Sequence, residues 1–241
     1  MRSMTKCLVA GCLALSLAFS GATSAGDSVD LIINAAKSGD AESQFFLSKL
    51  YEIGAGEVTQ DSAKAAYWLK QAADAGNLDA RCEVAVHYLN GTGGYPQDKA
   101  KGLAMLQENI KQKHPVSMRE LGRLYDMGLA GLVTQNEHQA LGWFKQAAEA
   151  DDSRAAVYLG YYYETGKGGL KQDYGEAITW YQKGISQLEP MAMNNLGVMY
   201  YHGKGVDRDH KEAKRWWQMA AKFGSQEAKR NLEILEKEET Q

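Results

Sequence analysis

Apolar positions recur along most of the chain at helical spacing, and the pattern restarts about every 37 residues. The segments "LGRLYDMG" (121–128), "LGYYYETG" (159–166) and "LGVMYYHG" (196–203) put a Leu, its neighbour and the Tyr four residues on along one helix face. Four residues before the Leu position stand Ser43, Ala80, Ser117, Ala155 and Ala192. These small residues share that face and predict close approach by a neighbouring helix. Gly54, Gly91, Gly128, Gly166 and Gly203 follow each Tyr by three, where a helix ends with positive φ. Asp61, Asp98, Asn136, Asp173 and Asp209 then sit at expected N-caps, and Asp173/Glu176 and Asp209/Glu212 have capping-box spacing. They predict a second helix whose apolar stripe holds Trp68, Met105, Trp143, Trp180 and Trp216, with the pairs Ala72 and Ala73, Ala147 and Ala148, and Ala220 and Ala221. Pro115 and Pro190 suit the first turn of the next first helix.

Tyr51, Tyr88, Tyr125, Tyr163 and Tyr200 are spaced by 37, 37, 38 and 37 residues, which marks a stack of supersecondary units. The boundaries read as 40–76, 77–114, 115–151, 152–188 and 189–224, with half repeats at 26–39 and 225–241. One helix pair cannot bury its apolar face alone, so each copy covers the next. On this reading the periodic Tyr and Trp are core residues. The 3 Pro and 25 Gly fit many helices separated by turns.

The first residues follow a different pattern. Arg2 and Lys6 precede an apolar run at 7–19, and small residues at 20–25 offer a cleavage site after Ala25. This is the layout of a secretory leader, 1–25, and it predicts a periplasmic or secreted protein. "LVAGC" (8–12) offers acylation at Cys12 as the alternative. Removing the leader leaves 25 basic against 30 acidic residues, a net charge of −5. That charge argues against a nucleic-acid partner. No later segment is long and apolar enough to span a membrane. Only Cys82 remains after cleavage, so no internal disulfide is expected.

The pattern L-G-x-x-Y-x-x-G-x-G followed by D-x-x-[KE]-A-x-x-W-[YF]-x-K-A-A resembles the Sel1-like repeat family, relatives of the tetratricopeptide repeats. Its clearest copy is "LGVMYYHGKGVDRDHKEAKRWWQMAAKFG" (196–224). The second copy departs at Val84, Ala85 and Met105, and the third carries a longer "GLAGLV" loop. The resemblance implies an all-α, right-handed α-solenoid of about five helix-turn-helix repeats between capping helices. It also implies partner binding, since members act mostly as adaptors in signalling, secretion or envelope assembly. Some cysteine-rich exported members bind or hydrolyse β-lactams. A β-lactam or cell-wall-fragment hydrolase is therefore the alternative by analogy, beside a secreted factor that binds a host protein.

In that fold the first helices line a concave face. The expected groove holds Phe45, Lys49, Val86, Leu89, Arg119, Arg123, Arg154, Val157, Tyr161, Val198 and Tyr201. An apolar strip with a central Arg119–Arg123 pair suits an acidic or carboxylate-bearing segment of another envelope or secreted protein. No catalytic residue, metal site or cofactor is expected. The histidines His87, His114, His138, His202 and His210 lack metal-ligand spacing, and the mature chain has neither S-x-x-K nor K-T-G. "GTGG" (91–94) and "GKGG" (166–169) read as turns.

Overall fold

A computed structural model describes residues 25–239. The leader and Cys12 lie outside the described residues, except for Ala25, which begins the first helix. The described residues form twelve α-helices, one 3₁₀ turn and no strand. They divide into two compact units with the boundary between His114 and Pro115.

The first unit holds α1 (Ala25–Lys37), α2 (Ala41–Ile53), α3 (Ser62–Asp74), α4 (Leu78–Asn90) and α5 (Lys99–Lys111). The second holds α6 (Pro115–Met127), α7 (Glu137–Glu149), α8 (Ser153–Thr165), α9 (Tyr174–Ser186), α10 (Pro190–His202), α11 (His210–Lys222) and α12 (Gln226–Glu239). Each unit by itself is a stretch of α-solenoid, with consecutive helices packed in pairs.

The helix ends follow local chemistry. Asp61, Asp98, Asn136, Asp173 and Asp209 each accept hydrogen bonds from first-turn backbone N–H groups, satisfying donors the helix leaves unpaired. Gly54, Gly91, Gly166 and Gly203 close α2, α4, α8 and α10 in the left-handed region. Short links then turn the chain back as Asp61, Asp98, Asn136, Asp173 and Asp209 donate their N–H to the carbonyls of Tyr51, Tyr88, Tyr125, Tyr163 and Tyr200.

The small positions on the first helices are closed: Ala80, Ser117, Ala155 and Ala192 have no exposure. At Ala192 the approach is so tight that a Cβ on Gly184 of α9 would lie 2.8 Å from its Cβ.

The periodic Tyr and Trp are not the deepest residues. Tyr51, Tyr88, Tyr125, Tyr163, Tyr200, Trp68 and Trp216 are half-buried and flank the core clusters. The residue after each Trp or Met is the one driven inward: Leu69, Leu106, Phe144, Tyr181 and Trp217 are all buried. In the second unit these side chains are aromatic, and each meets a glycine of the preceding helix. A Cβ on Gly122 would lie 2.8 Å from Phe144, on Gly160 2.6 Å from Tyr181, and on Gly197 2.6 Å from Trp217. In the first unit the same helix position carries Ser48 or Ala85, and the inward residue is Leu69 or Leu106. Size on one helix is matched by size on its partner.

Candidate functional site

A face free to meet a partner must lie outside the contacts that build the stack. Those contacts take more of the first helices than periodicity suggests. In each unit the N-terminal part of one first helix is tied to the cap of the next first helix. Asn77, the N-cap of α4, donates to Glu42 (2.9 Å), and His114 meets Asp79 (3.2 Å). Arg119 meets Asp152, the N-cap of α8 (3.0 Å), and Arg154 meets Glu189, the N-cap of α10 (3.3 Å). Each tie joins residues 33 to 35 apart in the chain.

Three expected groove residues are therefore enclosed. Val157 is 2% exposed and packs with Tyr181, Ala192 and Leu196, because the approach of α9 and α10 at Gly184 and Ala192 seals it. Leu89 is 6% exposed, covered where α5 crosses α4 at Gly102, whose Cβ would fall 2.8 Å from the Leu89 side chain. Arg119 is 7% exposed and bonded to both Asp152 and Glu120. A buried, paired guanidinium holds the stack together and does not wait for a ligand. Cys82 is also buried, at 2% exposure, which places its thiol in the core.

The other groove residues retain some surface. Glu120 also pairs with Arg123 (2.7 Å), so the expected basic centre is largely neutralised by Glu120 and Asp152 together. Arg123 and Arg154 keep 39% and 54% side-chain exposure. Tyr161, at the same helix position in α8 as Arg123 in α6, is 43% exposed, with Lys167 Nζ 5.8 Å from its ring centre. Val198 holds that position in α10 and rests half-buried on the Trp217 cluster. Tyr201 is half-buried, stacks on His210 at 4.8 Å and donates its hydroxyl to Glu238 of α12 at 2.7 Å. In the first unit, Phe45 packs beside Leu69 and Val84, and Lys49 Nζ lies 5.3 Å from its ring centre. Lys49 is drawn into ion pairs with Glu83 (2.5 Å) and Glu52 (2.9 Å). Burial alone would depress its ammonium pKa, but the two carboxylates raise it above the usual lysine value. Val86 is half-buried.

Sequence reasoning missed a second type of polar site, a buried phenol facing a carboxylate within or between helix pairs. Tyr162 donates its hydroxyl to Asp126 (2.5 Å), and Tyr181 donates to Glu164 (2.8 Å), which also holds Lys204 (2.8 Å). Both phenols are pushed well above the usual tyrosine range, first by burial and then by the facing carboxylate. The signal available in the sequence was an acid directly after the periodic Tyr (Glu52, Asp126, Glu164). Among the described residues no cluster of His, Cys, Asp and Glu could hold a metal, and no helix is long and apolar enough to cross a membrane.

Comparison with known proteins places these repeats. A family model described as Sel1 repeat matches residues 41–77, 78–112, 115–152, 153–187 and 190–225. The chain is 27% identical to chitin synthase regulatory factor 3 of Schizosaccharomyces pombe over 86% of its own length. It is 33% identical over 74% of its length to the ERAD-associated E3 ubiquitin-protein ligase component HRD3A of Arabidopsis thaliana. The matches span 27% of each of these longer relatives. Among solved structures, a Sel1 repeat protein from Oxalobacter formigenes superposes with a TM-score of 0.64 at 26% identity, covering 85% of this chain and 81% of that one.

Proposed function

Because the chain belongs to the Sel1 repeat family, we propose that it is an exported interaction protein that holds a segment of another envelope or secreted protein. The relatives named as a regulatory factor and as a ligase component support a role in binding proteins rather than in catalysis. The leader pattern in residues 1–25 supports export.

The observation that carries the reading is Tyr161. It is a large side chain with 43% exposure on a first helix whose other apolar residues are nearly all enclosed. Tyr is a frequent anchor in protein interfaces because it offers apolar area and a hydrogen-bonding end at low entropic cost. Arg123, one repeat earlier at the same helix position, and Arg154 supply partly exposed cations for a carboxylate-bearing segment.

The test is a crosslinked pull-down of the tagged mature protein from the envelope fraction of its source, beside Tyr161→Ser and Arg123→Glu variants. Tyr161 is exposed and Arg123 half-buried at the helix surface, and both substitutions should leave the far-UV circular dichroism unchanged. Capture by the wild type that is lost in the variants supports the assignment. Equal capture by all three moves the interface off this face, and no capture overturns the adaptor reading.

A further inference from the structure

The junction between the first two helix pairs is open where two later junctions are filled. A cavity of about 560 Å³ lies in the first unit among α2, α3, α4 and the 91–94 turn. Its lining includes Glu52, Ser62, Ala66, Leu69, Glu83 and His87. That volume lies within the range of small-ligand sites.

The repeat register shows what the cavity lacks. Leu69 stands where the second unit has Phe144 and Tyr181, and Ala66 stands where it has Leu141 and Ile178. His87 replaces Tyr162 and Met199, and Ser62 replaces Glu137 and Tyr174. In the second unit these larger groups close the space. Phe144 stacks on Tyr158 at 4.7 Å and meets Tyr162 edge-on at 5.5 Å, and a Cβ on Gly205 would lie 2.6 Å from Tyr174. Four replacements at one junction all reduce side-chain bulk.

The same register shows how the polar groups are rearranged. At both filled junctions an acid after the periodic Tyr receives an ammonium from the following turn. Asp126 faces Lys167 at 3.6 Å, which also pairs with Glu137 at 3.3 Å, and Glu164 pairs with Lys204 at 2.8 Å. In the first unit the acid is retained as Glu52, but the turn residue is Thr92, which meets His87 Nδ1 instead at 2.9 Å. A second carboxylate, Glu83, is added where the filled junctions carry Tyr158 or Asn195. Lys49 bridges Glu52 and Glu83, and His87 Nε2 stands 3.9 Å from Glu83, so two carboxylates share one ammonium as at the Asp126 junction, but here they border open space and an apolar wall of Leu69 and Ala66.

We propose that this cavity receives an arginine or lysine side chain from a partner polypeptide, its stem against Leu69 and Ala66 and its cation on Glu52 and Glu83. A guanidinium is the better fit, since it can bond a carboxylate with two N–H groups. This site is independent of the Tyr161 face and stands if that assignment fails.

The test is nuclear magnetic resonance titration of the full mature chain with N-acetyl-arginine amide, N-acetyl-lysine amide and N-acetyl-norleucine amide. The first two should produce saturable shifts at His87, Gly93 and Gly94, and norleucine should bind more weakly. Glu52→Gln, at a half-exposed position, should weaken the arginine probe roughly two- to fivefold. The double variant Ala66→Leu, His87→Tyr imports the filling of the later junction and should abolish binding while its melting temperature holds or rises. Absence of saturable shifts with both cationic probes overturns the proposal. Equal binding of norleucine overturns the cation assignment, and unchanged binding by the double variant places the probe elsewhere.

Discussion

Three non-glycine residues occupy a backbone position that suits glycine. Gly39, Gly76 and Gly224 turn the chain between repeats with φ of 99°, 95° and 96°, while Lys113, Asp151 and Leu188 hold the equivalent turn at 60°, 64° and 60°. An L-residue in the left-handed region costs about 1–2 kcal/mol, offset in part by the greater freedom glycine has when unfolded. Leu188 is also 57% exposed, so its side chain contributes little burial. Leu188→Gly should therefore stabilise the protein by roughly 0.5–1 kcal/mol, read as a higher urea midpoint. The reverse change, Gly224→Leu, should lower the midpoint. At the same scale, Phe144 against Gly122 tests the matching of sizes between helices. Gly122→Ala alone should cost about 1–3 kcal/mol through overpacking. Combined with Phe144→Leu, it should cost less than the sum of the two single changes by about 1 kcal/mol, which a double-mutant cycle measures.

The elements owe their ends to local residues and their stability to neighbours. Each helix is short, 13 or 14 residues, and helices of that length are marginal in isolation. α12 shows the dependence. It is charged along most of its length, yet Ala228 and Leu235 are fully buried against Met193, Ala213 and Trp217. Leu235→Ala should cost about 2–4 kcal/mol and make unit two the first to unfold, seen as early loss of the buried Trp217 emission. The N-caps legible in the sequence all formed because a cap needs only residues within one turn. In the apolar stripe of the second helices the Ala pairs supply buried residues, but the deepest large side chain is the residue after the Trp rather than the Trp itself. Periodicity gives a direction about the helix axis, and two adjacent apolar residues both fit the same broad stripe.

Across the whole molecule, buried phenols couple stability to alkaline pH. Tyr162 and Tyr181 have raised pKa values in the folded chain, against a usual value of 10.0. A raised folded pKa means the unfolded chain releases these protons first. Their contribution is fully present below pH 10 and falls as pH rises beyond it, by up to about 1.4 kcal/mol per pH unit for each group. Urea unfolding from pH 9 to 12 should show this fall, with phenolate absorbance of the two residues appearing only on unfolding. Tyr162→Phe, Tyr181→Phe should flatten the slope. The binding surfaces belong to this scale as well. A polar face on a first helix becomes a site only if no neighbouring helix encloses it, and here Asp152 and its helix enclose Arg119, while Arg154, held by Glu189, keeps 54% side-chain exposure.

The sequence by itself determined the repeat, its period, the helix ends and the family, because these depend on residues within a turn or on copies of one pattern. It also marked the small positions where helices touch. Only the tertiary structure decided which apolar residues are buried, that Arg119 is an internal tie and that Leu89 and Val157 are core. It alone revealed the open junction beside Glu52 and Glu83. Burial and leftover volume are sums over side chains from several helices, and each such sum depends on how those helices approach, which no single stretch of chain records.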